Sequence, residues 1–456
     1  MKKYSLIILL PVLAIFFGSA GTGSSVFPQE ETYKLDNGMQ VIFADYGELP
    51  VTSFTFFINV GKKSETPGQQ GMADLTANAL TMGCDGYDRA AMDRALYKMG
   101  TDISCAANEN YTTLSGEFLN ENCADGVQLL AATLIHPTFP VADIDQTKGF
   151  TLTQNKPSKM DIGDLADEFG NLFTYGSAHP LGRHFYETQY SKVGVDQLKR
   201  FYEFNYTPGN TILLVTGKPD RQAVKVLLEK YFSSWKAAMG EINGSVYDIP
   251  AIKSKEYAFI PKDGATQACL EWFKRAPDAG SKDMIAFRLA NMVFSDRLMK
   301  DIREKDGYTY GIYSRYSEAM NDGIFRAKTQ VRNEVMYSTI LAFDSVLTNF
   351  NMKGATDAEL KKFKNMMKTD VLNIEEPSTF ASVINPLVYK DYNKRMLYLS
   401  EVDAIDLVTL NKVIKKYFTS DCYKLMIAGD AVALSPQLNN LSGLQKMMLT
   451  DIEKDQ

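Results

Sequence analysis

The chain has 456 residues, 45% of them hydrophobic, 11% aromatic and 23% charged, with a formal net charge of -6. That length exceeds one ordinary domain and suggests two or three, with enough apolar material for sizeable cores. The two signs of charge are interspersed and no basic block or stripe occurs, so nucleic acid is excluded as an expected partner.

The first element is a leader. Lys2 and Lys3 precede an apolar run, Ser5 to Phe17, broken by Pro11 and followed by the small residues Gly18-Ser19-Ala20. This is the layout of a cleaved secretory signal over residues 1–20, and the run is short for a membrane span. No cysteine follows it to take a lipid, and no later stretch is long and apolar enough to cross a bilayer. The expectation is an exported, periplasmic protein with no stable membrane span after signal cleavage. Cys84, Cys105, Cys123, Cys269 and Cys422 are widely spaced with no CxxC pair, which points away from a zinc knuckle. Export permits disulfides, but an odd count leaves at least one thiol over, and buried free thiols are expected.

The remaining chain carries one pattern twice. Leu198, Phe201 and Tyr202 stand at helical spacing, then come Tyr206, a Thr-Pro-Gly-Asn turn, the apolar strand Thr211–Thr216 and Gly217. Leu410, Val413 and Ile414, then Phe418, the polar turn Thr419–Asp421, the strand Tyr423–Ala428 and Gly429 repeat this order 212 residues later. Upstream, Val51–Val60 pairs with Ala265–Lys274 as strands, and Thr112–Phe118 with Gly323–Val331. Amphipathic helices follow the latter pair at Ala124–Ile135 and Asn333–Leu347. Strands and helices segregated in this way predict an α+β fold of two tandem homologous domains, each an antiparallel sheet packed against helices. The expected domains span residues 28–240 and 255–450, joined where Gly, Asn, Ser and Pro cluster near Ala237–Lys255.

Several short motifs then fall in order. They are Leu35-Asp36-Asn37-Gly38-Met39-Gln40-Val41, Val60-Gly61-Lys62-Lys63-Ser64-Glu65-Thr66-Pro67-Gly68 and Gly71-Met72-Ala73, followed by His136-Pro137-Thr138-Phe139. His179-Pro180-Leu181-Gly182-Arg183, Tyr206-Thr207-Pro208-Gly209-Asn210 and Tyr231-Phe232-Ser233-Ser234-Trp235 close the first half. In this order and spacing the chain resembles the short, two-domain insulinase-like (pitrilysin, M16-type) zinc peptidases over nearly its whole mature length. The resemblance implies a helix carrying HxxEH directly after Gly71-Met72-Ala73, whose histidines bind zinc and whose glutamate is the base. This sequence reads Asp74-Leu75-Thr76-Ala77-Asn78 there. The histidine positions are Asp74 and Asn78 and the base position is Ala77, while the family spacing puts the third ligand near Asn155, next to Gln154. Alanine takes no proton and an amide is a poor zinc ligand, so no metal is expected in this chain. The only histidines are His136, His179 and His184, which cannot form the motif; His179 and His184 read as structural or substrate-facing.

The second half retains a different signature, Phe294-Ser295-Asp296-Arg297-Leu298 followed by Ile302-Arg303-Glu304-Lys305-Asp306-Gly307-Tyr308-Thr309-Tyr310-Gly311. It is similar to the family's Arg/Tyr motif, with Arg303 and Tyr310 seven residues apart; Tyr308 has the wrong spacing, and Gln267 is assigned to strand structure. By resemblance, Arg303 and Tyr310 reach an active site built by a zinc-binding domain. The fork of an arginine suits a carbonyl or carboxylate, and a tyrosine hydroxyl suits an oxyanion. The resemblance therefore implies a non-catalytic subunit closing as half of a clam-like chamber on an HxxEH-bearing homologous partner. That partner would hold the zinc, and the substrate would be an oligopeptide or unfolded segment. The alternative is an inert peptide-binding or scaffold protein of the same fold. An independent peptidase would need a metal site that the sequence does not supply.

Overall fold

The structure, a computed structural model, describes residues 30–154, 160–183, 190–236, 249–278, 280–319, 322–372 and 398–448. The leader, residues 237–248 of the expected linker, Asn155 and His184 lie outside them.

The first half runs β1 (Glu30–Lys34), β2 (Gln40–Asp45), β3 (Val51–Ile58), α1 (Met72–Leu80), a small hairpin β4 (Gly83–Cys84) and β5 (Tyr87–Asp88), and α2 (Arg89–Met99). It continues with β6 (Ile103–Ala107), β7 (Thr112–Leu119), α3 (Cys123–Ile135), α4 (Val141–Gln154), α5 (Ile162–Tyr175), α6 (Val195–Asn205), β8 (Thr211–Gly217) and α7 (Arg221–Phe232). The second half runs β9 (Lys255–Pro261), β10 (Gln267–Arg275), α8 (Met284–Leu298), β11 (Thr309–Ala319), β12 (Asp322–Arg332), α9 (Met336–Lys353) and α10 (Asp357–Leu372). Then come α11 (Tyr398–Ala404), α12 (Leu407–Tyr417), β13 (Tyr423–Gly429), α13 (Ala431–Leu438) and the short β14 (Gln445–Lys446).

The repeat read from the sequence is real in space. The strand orders are β1-β2-β8-β3-β7-β6 and β14-β9-β13-β10-β12-β11. Five places correspond, β2 with β9, β8 with β13, β3 with β10, β7 with β12 and β6 with β11, while the outer place is taken by antiparallel β1 in one half and parallel β14 in the other. α6 and β8 lie 212 residues before α12 and β13, residue for residue. The sheets are mainly antiparallel, but each contains parallel pairing: β2 with β8, and β9 with both β13 and β14. The reason is the long helical excursion. The chain leaves the sheet after β7 or β12 and returns through α6 or α12 to insert a strand between two already made, which forces one parallel neighbour.

Each sheet packs one face on its own helices around Phe54, Phe56, Leu130, Leu198 and Leu213 in the first half and Trp272, Phe294, Phe343 and Leu410 in the second. A third core joins the halves. α5 belongs to the first half by sequence, yet its stripe Leu165, Ala166, Phe169 packs on Ala258, Ile260, Cys269, Phe273 and Met426 of the second sheet. Asp161 caps this helix, accepting from the amides of Gly163 (2.6 Å) and Asp164 (2.9 Å). Gly170 permits the close approach, since a Cβ there would stand 2.6 Å from the Phe273 ring. Burying side chains such as Leu165 and Phe169 contributes about 1.5–3 kcal/mol each. All five cysteines are free, with Cys84, Cys123 and Cys269 buried. Burial pushes the Cys123 thiol up to about 11.

Candidate functional site

Two places bear on chemistry, and they differ in kind. The first is α1. Its apolar positions Met72, Ala73, Leu75, Ala77, Ala79 and Leu80 are buried. Asp74 and Asn78 are the two positions of the helix left outside the buried set, one turn apart on the same side. Ala77 is 1% exposed and offers only a methyl group. Asp74 Oδ2 is paired with Lys62 Nζ at 3.1 Å, and Asn78 Nδ2 donates to the Asp74 carbonyl at 2.9 Å. Burial alone would lower the Lys62 ammonium, but Asp74, with Glu109 and Glu65 behind it, holds it above its ordinary value.

The N-terminus of α1 has no side-chain cap of its own, because Gly71 stands there in the left-handed region with φ 86°. Glu65 supplies the missing acceptor from the preceding loop. It is 6% exposed, and its two carboxylate oxygens accept from Ala73 N (2.8 Å) and Gly71 N (3.2 Å). Burial pushes this carboxyl up to about 7, against the two amide hydrogen bonds that favour its charged form. In the sequence Glu65 is one residue of the Val60–Gly68 motif with no role attached, and an acid nine residues before Asp74 followed by Gly71 is the signal for this cap. Arg183 donates to the Glu65 carbonyl (2.5 Å) and the Ala178 carbonyl (3.2 Å), tying the Pro180–Gly182 turn to this loop. His179 is buried, accepts at Nδ1 from Leu181 N (3.1 Å) and stacks on Tyr175 with centroids 4.7 Å apart. It is a turn-forming residue. Tyr190 hydrogen-bonds Thr151 of α4, and its phenol is raised by burial and further by the charges of Asp74 and Glu65.

These residues do not fit a zinc ion. The carboxylate at position 74 already neutralises an ammonium, the amide at 78 is spent on backbone, and position 77 has no base. Among the described residues no group of three or more His, Cys, Asp or Glu is placed to hold a metal.

The second place lies where α8 runs into a π-helical segment, Met299–Lys305, that carries Arg303. Gly307, at φ 66°, turns the chain, with Gly307 N donating to Arg303 O (3.2 Å) and Tyr308 N to Ile302 O (3.1 Å). β11 then begins with an irregularity. Thr309 pairs with Val331, yet Ile312 pairs with Thr329, so β11 has one extra residue and Tyr310-Gly311 form a bulge. Hydroxyl groups hold it. Thr309 Oγ1 donates to Gln330 O (2.8 Å) and accepts from Gly311 N (3.1 Å), while Thr329 Oγ1 lies 2.8 Å from Thr309 Oγ1 and 2.9 Å from Gly311 O. The buried Ile312 anchors the strand beyond it. Tyr310 is 91% exposed and Arg303 is also exposed, and neither side chain hydrogen-bonds or ion-pairs with any described residue. Tyr308, by contrast, packs on the core.

Two tandem copies of a six-stranded sheet packed against helices, with an exposed arginine before the edge strand β11 of the second copy and an exposed tyrosine on it, define a two-domain peptidase-like fold. The chain belongs to the insulinase-like M16 peptidase family, in its two-domain form. The family model "Insulinase (Peptidase family M16)" matches residues 47–165, and "Peptidase M16 inactive domain" matches 192–367. The chain is 21% identical to the uncharacterized zinc protease YmxG of Bacillus subtilis, covering 85% of this chain and 96% of that protein. It is 23% identical to the zinc protease PqqE of Helicobacter pylori, over 92% of this chain and 97% of that one. In fold it is similar to the peptidase M16 inactive domain from Pseudomonas fluorescens (TM-score 0.80, 21% identity, 88% of this chain and 98% of that). It is likewise similar to the periplasmic protease PqqL of Escherichia coli (TM-score 0.77, 15% identity), matching 94% of this chain and 49% of that one.

Proposed function

We propose that this chain is the non-catalytic subunit of an exported two-chain zinc peptidase, presenting Arg303 and Tyr310 to an active site built by an HxxEH-bearing homologue. The zinc, held by that partner, supplies the activated water. On this side, Arg303 holds a carbonyl or carboxylate of the peptide with its fork, and the Tyr310 hydroxyl donates to the oxyanion as the carbonyl becomes tetrahedral. The substrate is an oligopeptide or unfolded segment enclosed between the two shells.

The observation that carries this reading is the state of the Arg/Tyr segment: two polar side chains left exposed and unpaired by the described residues, one of them on a hydroxyl-locked bulge. A bulge beside a sheet edge is a device for re-aiming a side chain. α1 supports it from the other side, because Asp74 pairs with Lys62 and Asn78 with the Asp74 carbonyl.

The test is reconstitution. The purified chain, its zinc content measured, is assayed on an internally quenched unstructured peptide alone and mixed with an HxxEH-bearing relative from the same genome. Cleavage that needs both chains supports the proposal. A single chain that carries one tightly held zinc ion and cleaves unaided ends it. A mixture whose turnover ignores changes at Arg303 and Tyr310 leaves an inert binding or scaffold protein.

A further inference from the structure

Edge strand β11 carries more than Tyr310. Past the bulge, Ile312 and Ser314 are buried, while Tyr313 and Arg315 alternate onto the opposite, exposed face. Tyr313 pairs with Lys328 and Arg315 pairs with Arg326. Directly opposed residues of an antiparallel pair share a face, and like charges so placed repel.

The charges behind this pair are already committed. Arg326 reaches Glu271 Oε1 through Nε (2.9 Å) and Nη2 (2.8 Å), and Asp167 Oδ1 at 3.6 Å. Lys328 Nζ sits 2.7 Å from Asp167 Oδ2 and 2.9 Å from Gly163 O. Arg326 and Lys328 are thus matched by Glu271 and Asp167, with the Asp161 carboxylate also close to Lys328, and none of these carboxylates pairs with Arg315. Burial pushes Glu271 up to about 7, which weakens the negative side near neutrality. Arg315 makes no hydrogen bond or ion pair with any described residue. Tyr313, 59% exposed, lays its ring over Gly311, where a Cβ would come within 2.9 Å of it. An isolated surface arginine is served well enough by water. Arg315 differs in having a second guanidinium directly across the ladder, a repulsion that a bound anion relieves.

We propose that Arg315 is the anchor of a carboxylate subsite, with the Tyr313 ring as an apolar platform beside it, for an extended peptide lying along the outer part of β11. Arg315 stands five residues from Tyr310, roughly 15 Å along a strand, so the anchored carboxylate is several residues from the bond that Tyr310 would serve. This rests on the peptide-binding reading above, and deepens it by naming an acidic side chain or the terminal carboxylate of the substrate as the recognised group.

The test uses the full chain and a short peptide bearing an uncharged dye, in three forms: free C-terminal carboxylate, C-terminal amide without acids, and that amide with one internal glutamate. Binding is followed by fluorescence anisotropy at low salt. Either carboxylate form is expected to bind roughly tenfold more tightly than the neutral amide, a typical size for a charge-assisted bidentate contact; which of the two binds better identifies the source. Arg315→Ala should abolish the difference, Arg315→Lys should keep part of it, and Tyr313→Ala should weaken all forms alike. Equal binding of the three forms by the wild-type chain, or a preference that survives Arg315→Ala, overturns the subsite and leaves peptide binding standing. If no form binds, peptide binding fails and the subsite fails with it.

Discussion

The helix turn at Asp74–Asn78 and the segment Arg303–Tyr310 follow the central strands of the two sheets, β3 and β10, in a repeated fold, and they have diverged in opposite directions. In the first, the polar side chains at the family's metal positions and the acid beside them are settled inside the chain: Asp74 on Lys62, Asn78 on backbone, Glu65 on the helix amides. In the second, backbone and hydroxyl groups are satisfied with care while Arg303 and Tyr310 are left open. A polar group that a fold uses for its own stability is paired, because leaving it unpaired in a partly dry place costs free energy. Where a chain locks a bulge and then leaves the side chain on it exposed, stability is a poor explanation of that side chain.

The sharpest way to break this contrast is at the open end. In the reconstituted mixture, Tyr310→Phe or Arg303→Ala is expected to lower kcat by a factor on the order of 100 to 1000, as for loss of one oxyanion donor, with the melting temperature unchanged. A loss of stability in place of turnover would make the segment structural and erase the difference between the two regions.

At the settled end, Glu65 gives the next largest effect. Its folded carboxyl lies near 7 against an ordinary value of 4.5, so the folded state favours the protonated form. Its contribution is therefore full below pH 4.5 and is lost as pH rises to about 7. The loss is on the order of 3 kcal/mol by linkage. Urea midpoints measured across that range for wild type and Glu65→Gln should diverge with this slope, the wild type losing stability relative to the variant as pH rises. Parallel curves would mean that Glu65 is as well solvated as a surface acid.

The link between the regions is tested at α5. Gly170→Leu must displace the Phe273 ring and is expected to cost about 1–3 kcal/mol by overpacking, read by chemical denaturation. An unchanged midpoint would show that the third core is loose. The smallest effect belongs to Lys62→Met. The Lys62–Asp74 pair is 43% and 44% exposed, so its loss should cost less than about 1 kcal/mol and should shrink with added salt. A much larger loss would reveal α1 as dependent on that ammonium, which the present contrast does not require.

Much of this was legible in the chain itself. The 212-residue repeat and the strands and helices with their apolar spacing are local patterns, set by the periods of helix and strand. Asp74, Asn78, Arg303 and Tyr310 stand out in the sequence through its resemblance to the family's motifs, not through periodicity. What the sequence could not give is every feature that depends on which distant segment arrives where. The parallel strand insertion, α5 crossing to the second sheet, Lys62 meeting Asp74, Glu65 reaching forward to cap α1, the burial of His179 and the opposition of Arg315 to Arg326 are of that kind. Periodicity reports which face of an element is apolar but carries no address for the surface that will cover it. Those pairings are chosen only when the whole chain closes its cores and satisfies the polar groups caught between them.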